Sequence, residues 1–328
     1  MDESLREIPT DYAVAEEKRR SFLVDLFIRL VREKPLGTVG GVIVLLLLIT
    51  GIFSNFLAPH GFNESLGVYR SPPSATYLMG TDNLGRDMLS RVIYGARISV
   101  IVGLSASALS VLVSTIIGIF CGFLGGKFDL VVQRFVDAWM CFPGLVILIV
   151  VVSIIGPSMG GIIIVLGLQY GIAGSRVIRG SVIGIKGNMY VEAARSTGCS
   201  TPRILVRHIL PNIMAPLIIL FTTRMPAIIL AEASLSFLGY GIPPPTPSWG
   251  GMLSGPGRSN MLIAPWMAIW PGLALSIVVY GVNMFGDAVR DLLDPRLRGG
   301  LGRYSGVKVK MKKSQDDKEQ LSSGVPQK

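Results

Sequence analysis

The residue types that most often carry catalysis or bind metals are scarce in this chain of 328 residues. Its two histidines and three cysteines lie far apart and form no CxxC pair. One stretch, residues 122–128, partly follows a phosphate-binding loop, but Cys121 stands where a glycine is required and Phe128 replaces the serine or threonine. No HExxH motif occurs. We therefore expect a chain that is not an enzyme and that holds neither a cofactor nor a metal.

Composition and the lengths of the apolar runs indicate that the chain crosses a membrane. Charged residues make up 16% of the chain, whereas soluble domains average about 25%. A bilayer core about 30 Å thick needs roughly 20 helical residues. Six apolar segments reach about that length, the third and fourth separated by a turn at 156–161: residues 35–58, 98–122, two within 138–175, 212–232 and 261–286. The sequence predicts an all-α integral membrane protein with six transmembrane helices.

The positions of lysine and arginine indicate the orientation, since cytoplasmic connections carry an excess of both. Most of the 31 basic residues lie on one side when both termini are placed in the cytoplasm. Residues 59–97 and 241–260 then face outward. The basic residues crowd the termini and one internal loop, a pattern that argues against nucleic acid as a partner despite the net charge of +10.

Two ionisable residues, Arg224 and Glu232, lie in the predicted fifth span. A charge at the bilayer centre costs about 2.5–3.5 kcal/mol on insertion scales, so it usually faces a cavity or a partner. The two residues are separated by about 12 Å along a helix, which is too far for easy pairing. Our hypothesis is that both face a path through the membrane. For Glu232, solvation at the outer interface is the open alternative.

The connection between the fourth and fifth spans, residues 187–211, carries the signals of two short helices. Asn188 and Gly198 predict the start and the end of the first helix, and Thr201 with Pro202 predicts the start of the second. Four residues recur at helical spacing and define one face of mostly small side chains: Tyr190, Ala193, Ala194 and Thr197. We expect a helix–turn–helix that offers this face to a partner.

At this loop the sequence resembles the EAA signature of binding-protein-dependent ABC importer permeases. The matching residues are Glu192-Ala193-Ala194, Gly198 and Ile209-Leu210-Pro211. In that family the loop forms a coupling helix that docks in a groove of a cytoplasmic ATPase subunit. The resemblance implies ATPase coupling for eight residues: Tyr190, Glu192, Ala193, Ala194, Gly198, Ile209, Leu210 and Pro211.

Further motifs look like those of the dipeptide/oligopeptide branch of this family and of its C-type subunits. They include MGTDNLGRD at 79–87, EASLSFLG at 232–239, PPTPSWG at 244–250 and DPRLR at 294–298. The resemblance covers about residues 36 to 300. It implies that the chain forms half of the translocation path for di- or oligopeptides. Nickel importers and some oligosaccharide importers share this branch, so these solutes stay open as alternatives.

The resemblance implies a MetI-like ABC importer permease fold in the cytoplasmic (inner) membrane, with ATP hydrolysis on a separate subunit. The expected partners are two ABC ATPase subunits, a second, related permease subunit, an external solute-binding protein and the lipid bilayer. The chain is expected to divide into a cytoplasmic N-terminal tail, a first transmembrane helix, an external segment, a five-helix permease core and a cytoplasmic disordered tail: residues 1–34, 35–58, 59–97, 98–300 and 301–328. The core includes a cytoplasmic coupling loop at 180–211.

Four residues of the predicted outer segments are candidates for docking the solute-binding protein: Asp82, Arg86, Asp87 and Trp249. The segment at 81–97 is charged and partly amphipathic, and four prolines stiffen residues 241–249. The open alternatives are a helix lying flat on the membrane for the first segment and a purely structural turn for the second.

A transporter driven by an ion gradient is the main competing class. It predicts paired ionisable groups near the middle of the membrane and internal repeats, whereas only Arg224 is deep and no repeat is visible. A membrane receptor or scaffold gives no reason for the EAA loop. Neither the solute nor the choice between a homodimer and a heterodimer of permeases follows from the sequence.

Overall fold

The computed structural model describes residues 22–293, with side chains from residue 28 onward. The predicted C-terminal tail, most of the N-terminal tail and the DPRLR motif lie outside the described residues. Thirteen α-helices follow in chain order: α1 (Phe22–Glu33), α2 (Pro35–Ile52), α3 (Ser54–Leu57), α4 (Met88–Leu124), α5 (Gly126–Met140), α6 (Gly144–Ile155), α7 (Met159–Lys186), α8 (Met189–Ser196), α9 (Thr201–Ile204), α10 (Met214–Phe237), α11 (Trp249–Leu253), α12 (Gly255–Ser259) and α13 (Trp266–Leu293), all within that range. A π turn (Leu205–Ile209) and a 3-10 turn (Leu210–Ile213) join α9 to α10.

Five helices in the described range are long and apolar enough to cross a membrane: α2, α4, α7, the composite helix from Thr201 to Phe237, and α13. They correspond to five of the six predicted spans. The predicted third span is broken instead, because α5 and α6 meet at an angle of 89°. Helix α6 has 12 residues and reaches about 18 Å, which is short of a bilayer core of about 30 Å. A sixth crossing exists only if α5 and α6 together form one span.

Pro143 explains where the third span breaks. A proline has no N–H to donate, and its ring disfavours a helical conformation at the preceding residue, here Phe142. In the structure α5 ends at Met140, and Pro143 is the N-cap of α6. The apolar stretch that was expected to run straight through the bilayer therefore turns at this point.

The packing of α4 against α7 forms the centre of the bundle. A Cβ placed on Gly118 would lie 2.7 Å from the Cβ of Ile178. One placed on Gly122 would lie 2.8 Å from the Cβ of Val182. Carbon atoms do not approach this closely, so larger residues would push the two helices apart. Small residues four apart thus let the two backbones pack closely, as in other membrane helix pairs.

Helix α4 connects the two ends of the bundle. It has 37 residues and is about 55 Å long, which exceeds a bilayer core of about 30 Å. It begins at Met88, well before the predicted second span, because Asp87 caps it. The Asp87 carboxylate accepts hydrogen bonds from the N–H and the hydroxyl of Ser90 at 2.8 and 2.6 Å. A single helix therefore runs from the segment that follows α3 to the level of the loop that holds α8.

Connections that were predicted to share one side of the membrane meet at one end of the bundle. At the first end, the Trp266 indole donates to the carbonyl of Thr81 at 3.1 Å and joins the segment before α4 to the start of α13. At the opposite end, Lys34 pairs with Asp291 at 2.5 Å. The start of α2 and the end of α13 thus lie together, as the predicted topology requires.

Candidate functional site

Helix α8 occupies the position predicted from the sequence, between α7 and α9. Asn188 is its N-cap by backbone conformation, and the Asn188 carbonyl accepts bonds from the amides of Val191 and Glu192 at 2.9 and 3.2 Å. The Asn188 side chain makes no capping bond, so the predicted cap is present in the backbone only. Glu192 lies in the first turn, where a negative charge suits the helix dipole.

Gly198 ends α8 as the sequence predicts. Its φ of +78° lies in the left-handed region, which glycine adopts at the least cost. The Gly198 amide donates to the Arg195 carbonyl at 2.9 Å. The next amide, of Cys199, donates to the Ala194 carbonyl at 3.0 Å. Together these bonds form a Schellman motif, which satisfies the last carbonyls of the helix and directs the chain into α9.

Helix α8 packs one face on the bundle and leaves the other free. Val191 is 0% exposed and Ala194 is 8% exposed, and both belong to a buried apolar cluster with residues of α4, α7, α9 and α10. Met189 is 89% exposed, and Glu192 and Ala193 are exposed as well. The prediction of one partner-facing group of small residues is therefore wrong for Ala194, because its spacing from Val191 places both on the bundle side.

The second helix of the loop continues into α10. Its N-cap is Ser200 rather than the predicted Thr201, which is its first residue. Pro211 lacks an N–H, and the helix passes it through a π turn and a 3-10 turn without breaking. In these turns Ile209 is buried, Leu210 is partly buried and Pro211 is exposed. The loop is thus connected to a membrane-crossing helix by continuous helical structure.

Two side chains join this loop to the end of α4. The guanidinium of Arg195 lies 5.0 Å from the centre of the Phe123 ring, within range of a cation–π interaction. Lys186, the last residue of α7, donates from Nζ to the carbonyl of Gly122 at 2.9 Å. Sequence reasoning misses both contacts, because the partners lie far apart along the chain.

Helices α6, α7 and α10 surround an open groove with a volume of about 400 Å³. Arg224 lines this groove, and its guanidinium lies 5.9 Å from the centre of the Tyr170 ring. The Tyr170 hydroxyl donates to the carbonyl of Ala227 at 3.3 Å, which holds the ring beside α10. The structure therefore places Arg224 against a cavity that three helices share.

Glu232 does not face this groove. It is 2% exposed, and its carboxylate accepts a hydrogen bond from the Ser236 hydroxyl at 2.7 Å. The Ser248 hydroxyl, in the segment before α11, also contacts this carboxylate. Glu232 is therefore not solvated at the outer interface, and it does not line the groove that Arg224 lines. The reason is that Glu232 lies on the side of α10 that packs against the segment leading into α11.

Asp82 organises the segment between α3 and α4. Its carboxylate accepts bonds from the amides of Leu84 and Arg86 at 2.8 and 2.9 Å. The same carboxylate accepts from Nε of Arg86 at 2.7 Å and lies 3.6 Å from Nε of Arg91. Asp82 and both arginines are buried, so the charges compensate one another inside the segment.

The four candidate docking residues are all buried: Asp82, Arg86, Asp87 and Trp249. The indole of Trp249 donates to the carbonyl of Val92 at 3.0 Å, and its ring packs where a Cβ of Gly95 would lie. These residues shape the segment before α4 and the start of α11, and they offer no exposed side chain to a docked protein, contrary to the docking prediction. The prediction rested on their polar or aromatic side chains, because the residues that bury these side chains cannot be identified from the sequence.

Two ion pairs that sequence reasoning misses join α5 to α7. Asp129 accepts two bonds from Arg179, both at 2.6 Å, and Asp137 pairs with Arg176. All four residues line a second open pocket with a volume of about 550 Å³. Their spacing is the signal that would have found them, since the two aspartates share one helix face and the two arginines share another.

Residues 156–160 (GPSMG) follow the GxSxG spacing of hydrolase nucleophiles. A nucleophile elbow connects a strand to a helix, whereas this segment connects α6 to α7. The Ser158 hydroxyl accepts a hydrogen bond from the Gly161 amide at 3.1 Å and so serves as the N-cap of α7. Within residues 22–293, no group of three or more His, Cys, Asp or Glu residues is placed to hold a metal ion.

Comparison with known proteins identifies the family. Residues 114–299 match the family described as the binding-protein-dependent transport system inner membrane component. A protein of Brucella suis biovar 1 (strain 1330), named as a peptide transport system permease protein, is 38% identical over 271 residues, which are 82% of this chain and 90% of that protein. The glutathione transport system permease protein GsiD of Escherichia coli O157:H7 is 36% identical over 275 residues, 83% of this chain and 90% of that protein.

A solved structure supports the fold. A chain of the MetNI methionine ABC transporter, in an inward-facing conformation, matches with a TM-score of 0.51 at 15% identity, covering 63% of this chain and 98% of that chain. The predicted MetI-like all-α fold and the predicted family are thus confirmed. The chain belongs to the family of binding-protein-dependent transport system inner membrane components, as a multi-pass permease subunit of an ABC importer and not a catalytic subunit.

Proposed function

We propose that this permease imports di- or oligopeptides and that α8 couples it to a separate ATPase subunit. The division of α8 into two faces carries this proposal. Val191 and Ala194 anchor the helix on the bundle, while Met189, Glu192 and Ala193 stay exposed. A helix that transmits a movement from a neighbouring subunit to the bundle needs one face that contacts the subunit and another that packs on the bundle.

The eight candidate coupling residues divide into two roles in this proposal. Four exposed members contact the ATPase: Tyr190, Glu192, Ala193 and Pro211. The remaining members hold the loop in shape and on the bundle: Ala194, Gly198, Ile209 and Leu210. Substitutions in the first group therefore weaken the contact with the ATPase directly. Substitutions in the second group move the contacting surface out of position.

Movement of α8 reaches the membrane helices by two routes. The first runs through Arg195 and Phe123 into α4, which extends to the outer connections. The second runs through the π and 3-10 turns into α10, which carries Arg224 in the groove. The first route depends on a side-chain contact, and the second crosses the Gly198 turn before it becomes helical, so both need this loop to keep its shape if a displacement is to be passed on.

Peptides are the proposed solute because of the relatives described above. One is named for peptide transport and the other for transport of glutathione, which is a tripeptide. A chain that is identical to both at more than a third of the aligned positions is expected to act on the same chemical class. Nickel and oligosaccharides are the alternative solutes, and the uptake measurement described below distinguishes them from peptides.

The proposed assembly contains a second, related permease subunit, two ATPase subunits and an external solute-binding protein. The permease surface suits such an assembly in a bilayer, since apolar side chains such as Phe135 and Ile154 are exposed on α5 and α6. Both termini and α8 are placed in the cytoplasm, and residues 59–87 are placed outside. The solute-binding protein then contacts the exposed side of that outer segment, and the buried Asp82 supports it from within.

Uptake by the reconstituted importer tests the proposal. The permease, its partner permease, the ATPase and the binding protein are placed in liposomes, and ATP-driven uptake of radiolabelled trialanine is measured. Met189→Ala is expected to reduce uptake about ten-fold or more, the range for truncating a central interface residue. Phe56→Ala is the matched control, because Phe56 is 87% exposed at the opposite end of the bundle.

Two results would contradict the proposal in different ways. ATP-driven uptake of nickel or of an oligosaccharide, with no uptake of any peptide, would contradict the solute. Equal uptake by the Met189→Ala and Phe56→Ala importers, with the ATPase retained in both, would contradict the coupling role of α8.

A further inference from the structure

The groove between α6, α7 and α10 carries a positive charge without a counter-charge. Its volume of about 400 Å³ falls within the range of about 300–1,000 Å³ that is typical of small-molecule sites. Arg224 and Tyr170 are the ionisable residues of its lining. Most of the other lining residues are small or apolar. Since a tyrosine is uncharged at neutral pH, the groove is cationic.

Arg224 has unused hydrogen-bond donors. Among the described residues it forms neither an ion pair nor a hydrogen bond, and its guanidinium lies over the Tyr170 ring. The arginines of the neighbouring helix differ, because Arg176 and Arg179 both pair with aspartates. A guanidinium presents five N–H donors in a planar fork that matches a carboxylate. The ring of Tyr170 thus positions Arg224 while its donors remain free.

A second unsatisfied group belongs to the same groove. Oε1 of Gln169 is buried and has no hydrogen-bond partner among the described residues. Gln169 lies in the groove lining beside Tyr170. Buried acceptors are nearly always paired, so one without a protein partner indicates a bound molecule or water. An N–H of a ligand would satisfy Gln169, just as a carboxylate would satisfy Arg224.

We propose that this groove binds the C-terminal end of the transported peptide, with the carboxylate on Arg224 and a peptide N–H on Oε1 of Gln169. The inference rests on the proposed import of peptides. A peptide with a free C-terminus supplies both groups at neighbouring positions. A metal cation would be repelled by Arg224, and a neutral oligosaccharide brings no charge to pair with it. The site also accounts for an arginine in a membrane-crossing helix, where a charge is costly unless it meets a cavity or partner.

Protection of an engineered thiol tests the site in the assembled importer. Ala231 lines the groove, so Ala231→Cys is introduced into a chain whose Cys141 and Cys199 are replaced by serine. The complex is placed in nanodiscs and treated with a thiol reagent. Trialanine is expected to protect this cysteine at a concentration about ten-fold lower than trialanine amide, because only the free acid can pair with the guanidinium.

Substitutions of Arg224 identify the charged partner. Arg224→Gln is expected to remove the difference between the acid and the amide. Arg224→Lys keeps the positive charge and is expected to retain part of that difference. Arg258→Gln is the matched control, since Arg258 is exposed on α12 outside the groove, and it should leave the difference unchanged.

Three results would overturn the site. The first is equal protection by trialanine and its amide in the unsubstituted groove, and the second is an unchanged difference in Arg224→Gln. The third is loss of the second permease subunit from the Arg224→Gln complex, because Arg224 would then pair across a subunit interface. These results differ from a failure of the proposed function. An importer that takes up no peptide would contradict peptide import itself. Normal peptide uptake with equal protection by the acid and the amide would contradict only the proposed binding site.

Discussion

The guanidinium of Arg195 in α8 lies 5.0 Å from the centre of the Phe123 ring in the last turn of α4. This contact links the exposed loop helix to the helix that reaches the opposite end of the bundle. An exposed cation–π pair contributes about 0.5–1 kcal/mol. Its removal is therefore expected to weaken the link without unfolding the loop.

Phe123→Leu should partly uncouple transport from ATP hydrolysis. We predict that peptide uptake falls about 2- to 5-fold, the effect of losing one such pair, while phosphate release by the same liposomes stays near its original rate. Arg195→Lys should retain most of the uptake, because an ammonium also interacts with the ring face. A parallel fall of uptake and hydrolysis would point to damaged assembly, and no change in either would contradict the link.

Gly198→Ala should weaken retention of the ATPase. A residue with a Cβ is disfavoured in the left-handed region by about 1–2 kcal/mol, and Gly198 has a φ of +78°. The end of α8 must then shift and displace the coupling face. Gly187→Ala is the matched control, because Gly187 has a φ of −91° and no atom lies within 4 Å of its Cβ position. The fraction of ATPase that co-purifies with the permease measures the effect, and equal retention by the two variants would contradict this prediction.

The Asp129–Arg179 pair should show a measurable coupling energy. Its two bonds are both 2.6 Å long and the side chains are 15% and 32% exposed, so we expect about 1 kcal/mol, the upper end for solvent-accessible pairs. A double-mutant cycle of Asp129→Asn and Arg179→Gln, followed by thermal unfolding in detergent, gives this value. The neighbouring Arg134–Asp137 pair is longer, at 3.5 Å, and more exposed, so its cycle should give a coupling near zero. Equal values for the two cycles would reject the distinction.

Asp82→Ala should destabilise the segment between α3 and α4. The substitution leaves Arg86 and Arg91 buried without their carboxylate, and breaking a buried pair in this way costs about 3–5 kcal/mol. Limited proteolysis from outside the cell is expected to cut residues 59–87 much faster than in the unaltered chain. Glu64→Ala is the control, because the Glu64 carboxylate makes only an exposed bond to the Gly61 amide. Equal cleavage of the two variants would show that Asp82 does not organise the segment.

Local signals in the sequence were sufficient for the loop that holds α8. Its start near Asn188 and its end at Gly198 depend on the conformations of single residues, which residue type reveals. The same reasoning did not separate Ala193 from Ala194. Both are small and both fit the helical spacing, and only the packing of α8 in the apolar cluster around Val191 determines which alanine is buried.

Tertiary contacts explain the predictions that were wrong. The burial of Trp249 depends on Val92, and that of Asp82 depends partly on Arg91, and neither partner is adjacent in the sequence. Glu232 is a comparable case, because its burial depends on Ser248 in the segment leading into α11. The break in the third span did not depend on tertiary contacts. It could have been predicted, because Pro143 is present in the sequence and its effect on a helix is local.

Cross-linking from α8 is the most direct test of the coupling proposal. Ala193 is exposed and Ala194 is buried, so two adjacent residues of the same type form a matched pair. In the assembled importer, with Cys141 and Cys199 replaced by serine, Ala193→Cys should cross-link to the ATPase subunit to an extent that changes when ATP binds. Ala194→Cys should not cross-link. The account would be contradicted if Ala193→Cys gave no cross-link to the ATPase, or if an impermeant thiol reagent added outside intact cells labelled it.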